Sequence, residues 1–341
     1  MKPFALEAGQ VTAEAVDGRV LCHDIVAVGE LGRVKLGKGR ILSAHDVPAL
    51  RTYGGELHLL QLESGDVHED EASLRLARSV AGEGIELSGP VESQTMLRAR
   101  YRGLLRVQPG VLEEINLLPD VSIFTLFDGQ PVDMGKAVGA AKVTPLAIPG
   151  RVLNEAEEIA ERNAPLACVA PFLGGSVGVV VRESLTGPAR SKFEQAIQMK
   201  IGWFGSPVAG IRYLPESVEA IAGAIEQFAS DGAQLILAAG VNSTDPLDLT
   251  LQALQRVGAR TEQRGVPAHP GSTCWLAYLG AIPVFGLALC GMFSRTTVLD
   301  LLLPRFLSGQ PVRAADLASF GHGGMLGSEM AFRFPTYEKA V

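Results

Sequence analysis

Apolar positions in the second half of the chain fall in short blocks separated by stretches of helical spacing. Gly178-Val179-Val180-Val181 is an unbroken apolar block and predicts a buried strand. Ala189 to Ile201 follows with helical patterning that stops at Gly202. Ile211 to Tyr213 predicts a short strand. Pro215 to Ser230 predicts a helix, with Pro215 in its first turn, Glu216 and Glu219 at its positive end and Gly232 past its close. Gln234 to Ala239 is the next strand and runs into Gly240. Asp245-Pro246 then predicts a helix start, Asp245 as N-cap and Pro246 at the first helical position, with Gly258 after its end. Arg260 to Arg264 predicts another strand. Cys274 to Leu279 and Ile282 to Leu289, joined at Gly280-Ala281, predict a tight pair of buried strands. Ser294 caps a last helix that runs to about Leu303, before Pro304. Strands alternating with helices of about 10–15 residues predict an α/β fold with a mostly parallel sheet covered on both faces.

The first half is patterned differently. Val20 to Val28, Leu57 to Leu62, Gly103 to Val107 and Ser122 to Phe127 predict strands between Gly-rich turns, with one helix over Glu69 to Val80. The change of pattern falls near Pro149 to Pro171. It divides the chain into a β-rich region over 1–165, an α/β domain over 166–310 and a tail over 311–341, where Gly321-His322-Gly323-Gly324 shows little periodicity.

Composition narrows the function classes. The chain has 341 residues, 47% hydrophobic and 20% charged, which is a globular balance. The net charge of −7 and the 6% aromatic content argue against nucleic acid as a partner, since neither phosphate attraction nor base stacking is provided. Cys22, Cys168, Cys274 and Cys290 have no metal-site spacing and form no disulfide framework, so a reducing cytoplasmic setting is expected. Met1 to Gln10 lacks the pattern of a secretory signal. Asn163 to Val181 and Gly265 to Ser294 carry no charge, but Pro and Gly cut both into pieces of strand length, so no membrane span is expected.

Candidate chemistry sits in three Gly-containing loops. In an open α/β sheet, ligands gather where strands end beside helix N-termini, and exposed amides hold anions there. Ala239-Gly240-Val241-Asn242-Ser243-Thr244-Asp245 and Gly286 to Ser294 each join a strand to a helix, and His269-Pro270-Gly271-Ser272-Thr273 joins two strands. None is a P-loop or a dinucleotide fingerprint. Asp245 reads either as a helix cap or as a carboxylate holding a divalent metal beside phosphates. Asp66 to Glu71 reads as an acidic metal cluster or, with Asp66 as N-cap and Glu69 three residues on, as a capping box. His269 and Cys290 stand in ligand loops, with a surface histidine and a small buried residue as their structural alternatives.

Taken in order, the three loops resemble those of the molybdopterin-binding domain of the molybdenum-cofactor biosynthesis family: G-G-V-S-x-G-D, then P-G-K-P, then G-L-P-G-N-P-x-S. Gly240, Val241 and Asp245 match the first, Pro270 and Gly271 the second, Gly286 and Leu287 the third, with Ser294 near its closing Ser. Upstream, Gly18-Arg19-Val20-Leu21 with Asp24, and Lys38-Gly39-Arg40-Ile41-Leu42 with Asp46 and Leu50, are similar to the opening segments of molybdopterin molybdotransferases. The resemblance implies a three-layer α/β/α molybdopterin-binding domain behind a β-richer N-terminal region, and a homodimer. It further implies that Gly240, Val241, Asn242, Ser243, Pro270, Gly271, Ser272, Gly286, Cys290 and Ser294 hold molybdopterin or its adenylate. Asp245 would position Mg²⁺ while molybdate is transferred to the pterin dithiolene. The transferases' D-G-Y-A motif has no counterpart at Ala27-Val28-Gly29-Glu30, and their T-G-D-E-L motif is reduced to Arg182-Glu183-Ser184-Leu185. Those losses favour a rival reading as a non-catalytic carrier or sensor of the cofactor. A second rival is a hydrolase of nucleotide-like pyrophosphates.

Overall fold

The computed structural model describes residues 1–29, 32–182, 185–287 and 296–337. The chain divides into two compact units, the first made of 1–100, 106–128 and 134–169, the second of 101–105, 129–133 and the chain from Ala170 onward. No helix among the described residues is long and apolar enough to cross a membrane.

The first unit begins with β1 (Lys2–Leu6), α1 (Ala13–Val16), β2 (Val20–Leu21), β3 (Ile25–Gly29), β4 (Gly32–Leu36), α2 (Val47–Leu50) and β5 (Leu57–Gln61). The order β1-β5-β2 forms one antiparallel sheet and β3 pairs with β4. Val11, Leu21, Ile25, Leu42, Leu50 and Leu57 fill the core between them. Then follow β6 (Asp66–His68), α3 (Glu69–Val80), β7 (Ile85–Val91), β8 (Gln94–Ala99), β9 (Gly103–Val107), α4 (Pro109–Asn116), β10 (Val121–Thr125), β11 (Pro131–Val132), β12 (Ala137–Val143), β13 (Ala147–Pro149), α5 (Gly150–Arg162) and β14 (Ala167–Pro171), of which β11, the start of β9 and the end of β14 are counted with the second unit. The antiparallel sheet β10-β12-β8-β7 carries α3 on one face, and α3 packs on α5.

Two expectations for this half are corrected. Helix α3 is capped by His68, whose Nδ1 accepts from the Asp70 amide at 3.3 Å, and not by Asp66. Asp66 lies in β6 and pairs with the N-terminal amine at 2.6 Å. The half also holds more than one helix. In α5, Val152, Leu153, Ala156, Ile159 and Ala160 are buried at helical spacing. Gly150 opens α5 because a Cβ there would stand 2.8 Å from the Gly65 carbonyl oxygen.

The second unit is built on β15 (Val177–Val181), α6 (Gly187–Trp203), β16 (Val208–Tyr213), α7 (Val218–Ser230), β17 (Leu235–Ala239), α8 (Leu249–Arg256), β18 (Arg260–Arg264), β19 (Trp275–Leu279), β20 (Ile282–Leu287), α9 (Val298–Leu307) and α10 (Ala314–Ala318). Six strands form one mixed sheet in the order β16-β15-β17-β20-β19-β18. The first four are parallel, while β19 runs antiparallel to both neighbours. Val177, Val179 and Val181 of β15 with Leu235 and Leu237 of β17 pack against α6 and α9. Val180, Ile236 and Ala238 turn to the other face, against α7 and α8. The alternation follows from the two-residue period of a strand, and a block apolar at every position buries both faces.

Three helix starts differ from expectation. Helix α7 begins at Val218 behind the N-cap Ser217, which accepts from the Ala220 amide, so Pro215 precedes the helix. Helix α8 is capped by Asp248, and α9 by Thr297 in a capping box with Asp300. Pro304 does not end α9. All ten of its residues are buried, and packing on every side holds the helix through the missing amide bond.

Candidate functional site

Chain direction brings the candidate loops to one edge of the six-stranded sheet. β15, β17 and β20 are parallel, and β18, two antiparallel steps from β20, points the same way. Their carboxyl ends deliver Arg182, Gly240, Leu287 and Arg264. After β15 the chain leaves to α6 on one face, and after β17 it leaves to α8 on the other. The carboxyl ends of these adjacent strands form the topological switch point, where an open α/β sheet offers a crevice to a ligand.

The loop after β17 is held from beneath by a buried ion pair. Arg182 donates to the Gly240 carbonyl at 2.9 Å and to Asp248 Oδ2 at 2.6 Å. The Asp248 carboxylate also accepts from the amides of Asn242 at 3.0 Å and Thr250 at 2.8 Å. Its side chain is 0% exposed, and the charge is tolerable because a guanidinium and two amides donate to it. Asp245 is exposed, and its Oδ1 accepts from the Leu247 amide at 2.8 Å, a local turn instead of a helix cap. Gly240 takes a φ of +79°, which a side chain would oppose. Arg264 donates to the Ser243 carbonyl at 2.9 Å, tying this loop to the end of β18. The amides of Ser243 and Thr244 have no acceptor among the described residues. The Ser243 hydroxyl is buried with no partner there either. A buried hydroxyl left so is an exception to be explained.

The second loop runs between β18 and β19. The Pro270 carbonyl accepts from the Val298 amide at 3.0 Å, and the Gly271 carbonyl from the Cys274 amide at 3.1 Å. Gly271 has a φ of +108°, and a Cβ there would stand 3.2 Å from Val298 Cβ and N. It therefore packs on the start of α9. The amides of Gly271, Ser272 and Thr273 have no acceptor among the described residues, and Ser272 is exposed. His269 is engaged through its backbone: its amide donates to the Gly324 carbonyl at 2.7 Å and its carbonyl accepts from Leu326 at 2.8 Å. The glycine-rich segment therefore backs this loop as a short parallel bridge.

The third loop is largely outside the described residues, Cys290 and Ser294 with it, as are Glu183 and Ser184. Gly286 belongs to β20, not to a loop. It is paired with Trp275, and a Cβ on it would fall 2.1 Å from Trp275 Cε2, so an indole occupies the space a side chain would need. The start of α9 is also committed. Thr297 and Asp300 donate within the capping box, Val298 to Pro270 and Leu299 to Thr297 Oγ1, leaving no unclaimed amide over residues 297–300. Beneath it lies a second buried pair, Lys200 Nζ at 2.7 Å from both Asp300 oxygens, joined by the Tyr337 hydroxyl at 2.7 Å.

Burial of its phenol, with the Asp300 carboxylate beside it, pushes the Tyr337 pKa well above the ordinary tyrosine value. The folded protein keeps this proton where the unfolded chain loses it, so the contribution is complete below about pH 10 and is lost as pH rises further. Wild type is therefore expected to lose stability relative to Tyr337→Phe above that pH. Both tryptophans, Trp203 and Trp275, lie in the second unit, so urea unfolding followed by their fluorescence reads the difference.

Among the described residues no group of three His, Cys, Asp or Glu is placed to hold a metal, the Asp66 to Glu71 stretch included. A divalent ion at Asp245 would be held chiefly by a ligand's own phosphates. Cys22, Cys168 and Cys274 form no disulfide among the described residues. Arg182, Asp248, Arg264, Lys200 and Asp300 did not stand out in the sequence. Two carried a position signal: Arg182 is the first charge after an apolar strand, and Asp248 stands just before a helix.

A family model described as a domain of unknown function (DUF8806) matches residues 10–57, which lie in the first unit. No curated protein matches the sequence. Among solved structures, one titled as molybdenum cofactor biosynthesis protein B is 13% identical, with 38% of this chain and 90% of that chain covered and a TM-score of 0.29. A molybdopterin biosynthesis moea protein from Pyrococcus horikosii is 13% identical over 91% of this chain and 76% of its own, with a TM-score of 0.31. A putative molybdenum cofactor biosynthesis protein from Corynebacterium diphtheriae is 13% identical over 40% and 97%, with a TM-score of 0.27. Superpositions with TM-scores this low leave the meaning of the site to its own residues.

Proposed function

We propose that the second unit binds molybdopterin, free or adenylated, in the crevice at the carboxyl ends of β15 and β17, within a three-layer α/β/α domain. The observation that carries this reading is the set of unclaimed donors: the amides of Ser243 and Thr244 in one loop and of Gly271, Ser272 and Thr273 in the other, with the orphaned Ser243 hydroxyl. Oriented amides of this kind suit the phosphate of such a ligand. The loop motifs point to a pterin phosphate over other anions. Gly240, Val241 and Asn242 shape the turn, and Pro270 joins its loop to α9. Cys290, Ser294 and the chain after Gly286 complete the proposed site.

Molybdate insertion with Mg²⁺ at Asp245, in a homodimer, is the catalytic form of the proposal. The metal would neutralise phosphate charge while the loops hold the pterin in place. In either form Asp245 is the exposed carboxylate of the loop, because Asp248 is engaged by Arg182; the carrier form uses it without molybdate transfer.

Oxidation of purified or reconstituted protein, with measurement of the fluorescent pterin released, tests the ligand. Ser243→Ala is expected to weaken pterin retention by about tenfold, the worth of one hydrogen bond to a charged group, without lowering stability. Unchanged retention in Ser243→Ala and Ser272→Ala would sink the proposed site. Gly271→Asp is a poor probe, since it would strike Val298 and disturb α9. Turnover of adenylated molybdopterin with molybdate and Mg²⁺ separates transferase from carrier. AMP release from ordinary dinucleotides without molybdate would instead identify a hydrolase.

A further inference from the structure

The chain after α10 returns to the loop between β18 and β19. It passes a short 3₁₀ turn at Ser319–Gly321, the run His322-Gly323-Gly324, a second 3₁₀ stretch at Ser328–Arg333 and then Tyr337. The glycine-rich run has a mechanical task. Gly324 is buried, and a Cβ on it would stand 2.4 Å from the Phe320 carbonyl oxygen and 2.5 Å from that of Pro267. Both are backbone atoms, so only glycine lets the segment lie this close to the chain entering the loop. That approach brings the Gly324 carbonyl to the His269 amide and the Leu326 amide to the His269 carbonyl. Leu326, 4% exposed, then packs into the core.

The far end of the segment is fixed to the helix start that also receives the loop. Tyr337 donates to Asp300 of the α9 capping box, and the Val298 amide of the same turn donates to the Pro270 carbonyl. Between the two anchors Gly327, Ser328, Glu329, Ala331 and Phe332 are exposed, with one side-chain bond, from Gln130 to the Phe332 carbonyl, crossing the stretch at 3.1 Å. A segment held at its ends and exposed between them opens at lower cost than the sheet. The loop itself is satisfied on one side. His269 gives both backbone groups to the segment, while the amides of Gly271, Ser272 and Thr273 have no acceptor among the described residues.

We propose that residues 324–337 form a latch behind the His269–Thr273 loop: docked, it holds the three unclaimed amides in place for an anion, and its opening releases that anion. This rests on the reading of the loop as an anion site. The coupling is reciprocal, so an occupied loop tightens the latch by the factor by which the latch tightens the loop.

Hydrogen exchange on the full chain reads the latch with and without ligand. Three bonded amides report the loop: Val266 to the Ser272 carbonyl, Cys274 to that of Gly271 and Val298 to that of Pro270. In Gly324→Ala their exchange is expected to rise about tenfold, as when two neutral hydrogen bonds weaken, while amides of β15 and β17 keep their rates. Leu326→Asp should act in the same way. Met325→Ala, at a 72% exposed position of the same stretch, should change nothing. Pterin retention should fall about tenfold in Gly324→Ala. In wild type, inorganic phosphate should slow exchange of the His269 and Leu326 amides. Loop amides that keep their rates while 324–337 opens would overturn the latch, as would undiminished pterin retention with the segment open. Phosphate protection in a protein that retains no pterin would overturn the pterin reading and support the latch. Protection by neither phosphate nor pterin would overturn the latch.

Discussion

Replacing Asp300 by alanine is expected to destabilise the second unit by about 3–5 kcal/mol, the usual effect of breaking a buried ion pair from one side. Asp300 is 1% exposed and its two oxygens serve three neighbours. They accept from Lys200 Nζ, from the Thr297 amide and hydroxyl, and from the Tyr337 hydroxyl. One substitution thus removes the capping box of α9, the carboxylate facing an 8% exposed lysine and the anchor of the residue at 337. At about 2–4 °C per kcal/mol for a unit of this size, the midpoint should fall by roughly 10 °C. Tryptophan fluorescence reads it directly. Asp300→Asn keeps the shape and one acceptor, so it should lie between wild type and alanine. A loss below about 1 kcal/mol for alanine would mean that the pair adds nothing beyond what water would supply.

Asp248→Ala should be nearly as severe, and the comparison with Asp245→Ala decides which carboxylate organises the first ligand loop. Asp248 satisfies the amides of Asn242 and Thr250 and meets Arg182, whose side chain is 16% exposed. Its removal leaves a guanidinium in a poorly solvated place and frees the loop from the strand below, at a cost of about 3 kcal/mol or more. Amide hydrogen exchange over residues 240–250 should accelerate together with the fall in stability, because the loop and the start of α8 share that one carboxylate. Asp245→Ala removes a single exposed turn bond and should stay within about 0.5 kcal/mol of wild type. Equal effects from the two would show that neither residue alone sets the loop. Arg182→Met with Asp248→Leu, removing both charges together, should recover much of the loss if burial of an unmatched charge is what costs.

The Asp245/Asp248 pair also shows what residue order can and cannot convey. By type both are good N-caps, and Pro246 makes the earlier one attractive. The choice rests on Arg182, 66 residues before Asp248 and brought beside it by the pairing of β15 with β17. The same applies to α9, where Ser294 and Thr297 are both plausible caps and Thr297 acts with Asp300, which faces Lys200 100 residues earlier. Gly286 looked like ligand-loop glycine in the motif, yet its want of a side chain serves Trp275 across the strand pair. Helix α5 was different. Its apolar spacing was legible, but Pro149-Gly150 punctuates the start and reads as loop until Gly65 is seen to press against Gly150.

By itself, the sequence determined the alternation of strands and helices from β15 to α9, because apolar blocks and helical spacing bury surface in different ways; α10 (Ala314–Ala318) lies in the stretch it assigned to a tail. The sequence also marked three Gly-containing segments there as candidate anion-binding loops. The tertiary structure alone decided the strand order, and with it that the loops of Gly240 and Gly271 lie at the same edge of the sheet. It alone decided which amides remain unclaimed, and that two buried ion pairs lie beneath the loops. Local pattern is governed by neighbours a few residues away, whereas buried charges find their partners through contacts across the sheet that no short stretch of chain encodes.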